Sequence, residues 1–240
     1  NNSFYDLKKS GMKNLLLDLR NNPGGLLDQA IQLLDMFISS EDTLLFTKGR
    51  IRGSNTVFSA TYSKADEKLP IISIINRGSA SASEIISGTF QDLDRGLVIG
   101  ETSFGKGSVQ QHYDLDNETA ARITIAKYHT PSGRSIQRDY ANDDVEYYDN
   151  LVVENRELSD SLKQILPKFK TKSGRSVYGG GGINPDIYFQ DTLSLTDTSI
   201  DLIYNPKRYI FNYSESLKDD YENMAYSELL ETGLQQVKFD

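Results

Sequence analysis

No cysteine occurs among the 240 residues of this chain. That single absence excludes disulfide staples, thiolate metal ligands and cysteine nucleophiles, and it leaves the redox compartment open. Histidine is nearly as scarce, with 2 residues, which leaves little material for a structural zinc site. There is no basic surplus: 26 Lys and Arg stand against 34 Asp and Glu, a formal net charge of -8. A chain of that sign offers nothing to neutralise phosphates, which argues against a nucleic-acid partner. Long apolar runs are missing too. None approaches the roughly 20 residues needed to span a bilayer, because Asp, Arg or Lys interrupts the longest. No signal-peptide pattern is present, and Asn1 is not an initiator Met. The chain is therefore expected to begin partway through a longer protein.

What remains is an ordinary globular balance of 38% hydrophobic and 25% charged residues, enough for one large domain or a core with an appendage. Leu15 to Leu19 reads as a buried strand ending in Arg20-Asn21-Asn22-Pro23-Gly24-Gly25, a cluster of turn formers. From Leu26 to Ile38 apolar residues recur at helical spacing. Thr43 to Thr47 and Asn55 to Tyr62 read as strands. A second strand–turn–helix follows, with Pro70 to Asn76 as strand, Arg77 to Ala80 as turn and Ser81 to Leu93 as helix. Leu97 to Gly100 is a further buried strand and Glu101 to Gly107 a loop. Ser108 to Leu115 and Ala120 to Tyr128 form a hairpin through the polar turn Asp116-Asn117-Glu118. Alternating strands and helices predict an α/β fold, a mostly parallel sheet with covering helices plus a β-hairpin. Beyond Thr130 the pattern weakens. Asp139 to Asp149 reads as an acidic loop, Glu157 to Phe169 as a helix, and Ser216 to Val237 as one or two helices. Tyr178 to Pro185, with four consecutive glycines, reads as a flexible or tightly packed loop rather than a ligand cradle.

Three segments carry candidate chemistry. Paired glycines at the first strand-to-helix turn, Gly24 and Gly25, can expose backbone N–H groups to a ligand oxygen, although such a turn also serves simple backbone geometry. Their spacing matches neither a phosphate-binding loop nor a dinucleotide fingerprint. Gly78-Ser79-Ala80-Ser81-Ala82-Ser83-Glu84 leaves room for a substrate backbone and sets Ser81 at a helix start, where a developing oxyanion is favoured. Ser81-x-x-Glu84 also fits a capping box. In Phe104-Gly105-Lys106-Gly107-Ser108-Val109-Gln110 an extended chain would turn Lys106, Ser108 and Gln110 to one face. A lysine acts as general base only when deprotonated, and its unperturbed pKa is about 10.4. Burial among Val98, Ile99, Phe104 and Val109 is the expected means of depressing it. His112 and His129, on the hairpin strands, are not assigned to a triad. Asp18 is expected to anchor its turn, and neither Asp18 nor Glu84 is assigned to catalysis.

Together these segments resemble the C-terminal processing peptidases, the serine peptidase family S41 that includes tail-specific proteases. The resemblance rests on Leu17-Asp18-Leu19-Arg20-Asn21-Asn22-Pro23-Gly24-Gly25, on Gly78 to Glu84, and on Gly100-Glu101-Thr102-Ser103-Phe104-Gly105-Lys106-Gly107-Ser108-Val109-Gln110. Ile125 to Ile136 and Gly182-Ile183-Asn184-Pro185-Asp186 add to it. It implies a ClpP/crotonase-like core, Ser81 as nucleophile, and Lys106 as general base 25 residues on (81 to 106). It further implies Gln110 as the lysine's positioner, and an oxyanion hole from the Ala82 N–H with that of Gly24 or Gly25. The activity implied is a serine endopeptidase with a Ser-Lys dyad acting on protein substrates with unstructured C-terminal tails, without cofactor or metal. A periplasmic or cell-envelope location follows from the same resemblance. Residues 1–190 are expected to form the peptidase core, with the PDZ region usual in the family either outside this chain or lacking from the protein, and residues 191–240 a helical extension, a cap or a homo-oligomer contact. A non-catalytic peptide- or ligand-binding module on the same fold, and an esterase or amidase using the dyad, are the alternatives.

Overall fold

The computed structural model describes residues 2–39, 41–61, 66–116, 119–138, 159–189, 198, 202 and 205–216. The chain divides into two units, Asn1–Gln190 and Asp191–Asp240. In chain order the first unit carries α1 (Asn2–Lys9), β1 (Leu15–Asp18), α2 (Leu27–Asp35), β2 (Thr43–Lys48), β3 (Thr56–Ser59), β4 (Ile71–Ile75) and α3 (Ala82–Asp92). These are followed by β5 (Leu97–Gly100), β6 (Ser108–Asp114), β7 (Ala120–His129), α4 (Asp160–Ile165), β8 (Lys168–Lys170), β9 (Ser176–Tyr178) and β10 (Ile187–Tyr188). In the second unit the described residues include one helix, α5 (Tyr209–Ser216).

Two four-stranded sheets organise the first unit. In one, β1, β4, β5 and β10 lie side by side and all pair in parallel, with Leu15 opposite Ile71, Ile72 opposite Leu97, and Ile187 opposite Ile99. Such a sheet needs helices to cross between its strands, and α2 and α3 are spaced along the chain to do so. The other sheet, ordered β3-β2-β7-β6, is antiparallel throughout. The fold is thus mixed α/β, with the parallel sheet and helices expected from the sequence and an antiparallel sheet of equal strand number beside it.

Every residue of α3 is buried. A helix buried all round must be flanked on several sides, and α3 packs on α2, on β5 of the parallel sheet and on β2 of the antiparallel one. Its Phe90 meets Phe37 edge-to-face at 6.0 Å, and Phe37 meets Phe4 at 5.3 Å. Leu34, Leu44, Leu45, Ile75, Val98, Ile136 and Ile183 complete the closed centre of the core. On the buried surface of α3, Thr89 donates its hydroxyl proton to the Leu44 carbonyl at 2.8 Å. The core therefore fixes the direction of α3, and with it the place of the turn at its N-terminus.

The structure departs from the sequence reading in three places. The first strand, read as buried, is the edge strand β1, on which Leu16 is 60% exposed because β4 covers only one of its sides. Phe169 lies on strand β8, not on a helix, because Pro167 interrupts the run and α4 stops at Ile165. Lys106 lies in the loop before β6, and the pairing register shifts between Val109 and Gln110. The simple alternation that would align Lys106, Ser108 and Gln110 is therefore broken. The Tyr178 to Pro185 loop is tightly packed: Gly180 and Gly182 donate to the carbonyls of Ser135 and Ile136, and Ile183 is fully buried. The expected acidic loop at 139–149, the start of the 157–169 segment, the hairpin turn at 117–118 and the stretch 217–237 lie outside the described residues.

Candidate active site

Two glycine-containing turns meet at the carboxyl ends of β1 and β4, where ligand sites of parallel sheets form. The side chain of Asn76 stitches them together. Its Oδ1 accepts from the N–H of Asn21 at 2.9 Å and of Gly78 at 3.0 Å, and its Nδ2 donates to Asn21 Oδ1 at 3.0 Å. Ser79, fully buried, donates its hydroxyl proton to the Leu19 carbonyl at 2.7 Å. Ala80 N–H and the Ser83 hydroxyl both donate to the Asn22 carbonyl, at 3.0 and 3.1 Å. Asp18 anchors the end of its strand as expected, accepting the Arg20 N–H at 3.0 Å and pairing with its guanidinium at 2.8 Å. The hydrogen bonds from Arg20 hold its carboxyl below the usual range.

Ser81 is the N-cap of α3 and takes φ 54° and ψ -115°. A residue with a Cβ avoids that region, and the strain is of order 1–3 kcal/mol. A sharp strand-to-helix turn of this kind lifts a serine hydroxyl clear of the sheet, as nucleophile elbows do. The Glu84 arm of a capping box is made: the Ser81 N–H donates to Glu84 Oε2 at 2.8 Å, while the Glu84 N–H donates to the Ser81 backbone carbonyl at 2.9 Å.

Glu84 does more than cap. It is fully buried, and its Oε1 accepts the Ser103 hydroxyl at 2.5 Å and the Gly105 N–H at 2.7 Å, while Oε2 also accepts the Lys106 N–H at 2.8 Å. One carboxylate thereby holds the Ser81 turn against the Lys106 loop. Burial pushes its carboxyl above the ordinary range, against the pull of these hydrogen bonds. From the other side Gly107 N–H donates to Gln137 Oε1 at 3.0 Å and Arg138 N–H to the Gly105 carbonyl at 2.9 Å. The lysine loop is thus pinned on both flanks. Lys106 itself is half-buried. Gln110 is exposed on β6, and no hydrogen bond joins it to Lys106 among the described residues.

The two glycines of the first turn are in opposite situations. Gly24 has φ +92°, and a Cβ there would stand 2.7 Å from the Ala82 nitrogen and 3.0 Å from Ser81 Cβ. Its N–H donates to Asn22 Oδ1 at 2.9 Å. Beside Gly25 a Cβ would meet nothing within 4 Å. Neither histidine is at this site: His129 stacks on Phe46 at 5.1 Å with Nδ1 3.0 Å from the Gly133 carbonyl oxygen, and exposed His112 pairs with Asp114. A cavity of about 440 Å³ among Gln91, Arg175, Asn184 and Asp186 lies at the far end of α3 from Ser81 and contains none of these groups. Among the described residues no cluster of His, Cys, Asp or Glu could hold a metal ion.

The sequence singled out Ser81, Lys106, Gln110, Gly24, Gly25 and Ala82. Gly24 packs on Ser81 and Ala82, Glu84 ties the Lys106 backbone to that of Ser81, and Gly25 follows in the first turn. Exposed Gln110 is not joined to Lys106 by a hydrogen bond among the described residues. What the sequence missed is Glu84 as a bridge between segments, together with Ser103, Asn22 and Gln137. The signal available was the Ser-x-x-Glu spacing, which reports only the local half of the contacts Glu84 makes.

A strained serine heads a buried helix, and Glu84 ties the backbone of a lysine-bearing loop to it. The chain matches the model of peptidase family S41 over residues 1–147 and belongs to that family. It is 49% identical over 126 residues to a carboxy-terminal-processing protease of Bartonella bacilliformis, covering 52% of this chain and 29% of that one. It is 36% identical over 144 residues to the chloroplastic C-terminal processing peptidase of Tetradesmus obliquus, covering 60% and 31%. Among solved structures it is similar to a photosystem II D1 C-terminal processing protease, with a TM-score of 0.56 and 27% identity over 82% of this chain and 40% of that one. The chain thus spans about three tenths of the length of these curated relatives.

Proposed function

We propose that this chain carries the catalytic centre of a serine endopeptidase that cleaves proteins at or near unstructured C-terminal segments, with Ser81 as nucleophile and Lys106 as general base. The observation that carries the reading is the joint hold of Glu84 on both residues: the N–H groups of Ser81 and Lys106 end on the same carboxylate oxygen, at 2.8 Å each. A binding module has no need to strain a serine and clamp a lysine loop against it.

In the reaction a neutral Lys106 amine takes the Ser81 hydroxyl proton as Oγ attacks the scissile carbonyl carbon. The carbonyl π pair moves to oxygen, and the tetrahedral oxyanion is held by backbone N–H groups. Collapse expels the amine, which takes the proton from Lys106, and water then hydrolyses the acyl-enzyme by the reverse logic. The Ala82 N–H follows the nucleophile and is one donor. The second we assign to Gly25, since the Gly24 N–H already serves Asn22, while Gly24 keeps the space beside the Ala82 nitrogen free of a side chain. Gln110 is proposed to meet the lysine when substrate is bound. Kinship with bacterial carboxy-terminal-processing proteases supports a periplasmic or cell-envelope location.

The test is digestion of an unstructured protein by the wild type and by Ser81→Ala, with products read by mass spectrometry. Cleavage by the wild type alone is expected. Cleavage that persists in a folded Ser81→Ala variant would sink the assignment.

A further inference from the structure

Leu26 is 75% exposed. It occupies the N-cap of α2, a position where Ser, Thr, Asp or Asn usually accepts a helix N–H, and no side-chain cap hydrogen bond is made there. The residue thus neither caps its helix nor buries its side chain. Places where a local rule is broken without local compensation are where function is to be sought.

Its surroundings give that function a direction. The backbone of Leu26 is extended, at φ -73° and ψ 135°. It follows Gly25, whose side-chain position is open for at least 4 Å, and Gly24, whose side-chain position is closed by Ala80, Ser81 and Ala82. Along three residues the chain passes from a face pressed on the serine turn, through an open face, to a bare leucine. The first large apolar side chain after the glycine turn packed on Ser81 is Leu26, and the residue between, Gly25, leaves the space beside it open.

We propose that Leu26 is a specificity-determining residue of the peptidase site, packing against an apolar side chain that flanks the scissile bond of an extended, unfolded peptide. The proposal rests on the reading of Ser81 as nucleophile. Its occupant is the substrate itself, because the exposed leucine is continuous in sequence with the turn packed on Ser81. Such a contact selects substrates by the apolar surface it removes from water, and it leaves the bonds made and broken unchanged.

The test compares the full wild-type chain with Leu26→Ala, Leu26→Asp and, as a control at a similarly exposed apolar residue on β3, Val57→Ala, which is 65% exposed in the wild type. Each is given a peptide mixture with cleavage sites read by mass spectrometry, then the preferred peptide for kcat and KM. The wild type is expected to favour an apolar residue beside the scissile bond. Leu26→Asp is expected to lose about tenfold or more in kcat/KM for that peptide, chiefly through KM, and to shift its preference towards Lys or Arg there. Leu26→Ala should fall between, and Val57→Ala should keep the wild-type preference. An unchanged preference in Leu26→Asp overturns the proposal, as does a loss confined to kcat. Absence of cleavage by the wild type, with no labelling of Ser81 by a fluorophosphonate, overturns the peptidase reading and this proposal with it.

Discussion

The backbone N–H groups of Ser81 and Lys106, 25 residues apart in sequence (81 to 106), converge on one atom, Oε2 of Glu84, at 2.8 Å each. The other oxygen of that carboxylate takes the Ser103 hydroxyl and the Gly105 N–H. A carboxylate suits this place because all its lone pairs accept, whereas a carboxamide offers one accepting oxygen and turns two donors towards N–H groups. Glu84→Gln should therefore lose about 2–4 kcal/mol of stability from stranded buried donors. Cleavage should fall by about a hundredfold, since a displacement near 1 Å in a site costs that much. Urea unfolding and kcat on one peptide check both. A variant as stable and as active as wild type would remove Glu84 from its bridging role.

The same residue sets a pH dependence. Burial raises the Glu84 carboxyl above its ordinary 4.5, opposed by the hydrogen bonds from Ser103, Lys106, Gly105 and Ser81. The folded state then binds the proton more tightly than the unfolded state. The stability this confers is full below the ordinary value of 4.5 and is lost as pH rises through the folded value. Glu84→Gln lacks that titration, so its deficit relative to wild type should be largest in acid and shrink as pH rises. Unfolding of both proteins across a pH series measures the difference; a deficit that grows with pH contradicts the raised value.

Gly24 and Gly25 should respond oppositely to one added methyl group. At Gly24 it meets the Ala80 oxygen at 2.6 Å and the Ala82 nitrogen at 2.7 Å, on a backbone with φ +92°. Left-handed strain and overlap together cost about 2–4 kcal/mol, and the methyl would occupy the space proposed for the oxyanion. At Gly25 it meets nothing within 4 Å, so Gly25→Ala should unfold within about 0.5 kcal/mol of wild type. Thermal unfolding of the two variants gives the contrast, and equal losses would show that the turn is not packed on Ser81 as described.

How far the sequence led can be judged from single residues. Ile71 to Ile75 is legible as a buried strand because a central parallel strand needs apolar residues on both faces. Leu15 to Asp18 is legible as a strand but not as a buried one, since it lies at the sheet edge with Leu16 60% exposed. The turns after them are legible from Asn, Gly and Ser. Ser81 and Lys106 became visible through the family resemblance, since neither residue alone outweighs a cap or a surface cation. Glu84 stayed hidden because spacing reports contacts within a helical turn, whereas Ser103, Gly105 and Lys106 reach it only through tertiary packing. The alternation from Lys106 to Gln110 failed for a related reason: a register shift between Val109 and Gln110 depends on how β6 pairs with β7, which no single strand encodes.

At the opposite end of α3 from Ser81, Arg134 and Asp92 form an ion pair at 2.8 Å with both side chains fully buried. The Arg134 guanidinium also donates to Gln91 Oε1 at 2.6 Å and to the Tyr178 carbonyl at 3.1 Å, and Asp92 Oδ2 accepts the Ser132 N–H at 3.0 Å. Removing only the cation strands a buried carboxylate, so Arg134→Met should cost about 3–5 kcal/mol. Adding Asp92→Asn removes the stranded charge, and the double variant should recover part of that loss, as apolar or neutral replacements of buried pairs do. Urea unfolding of wild type, both single variants and the double variant closes the cycle. Strictly additive losses would mean that the pair contributes no coupling. Because α3 separates this pair from Ser81 by about 15 Å of helix, folded molecules of each variant should still cleave at the wild-type position, and a changed cleavage site would instead show that the orientation of α3 depends on the pair.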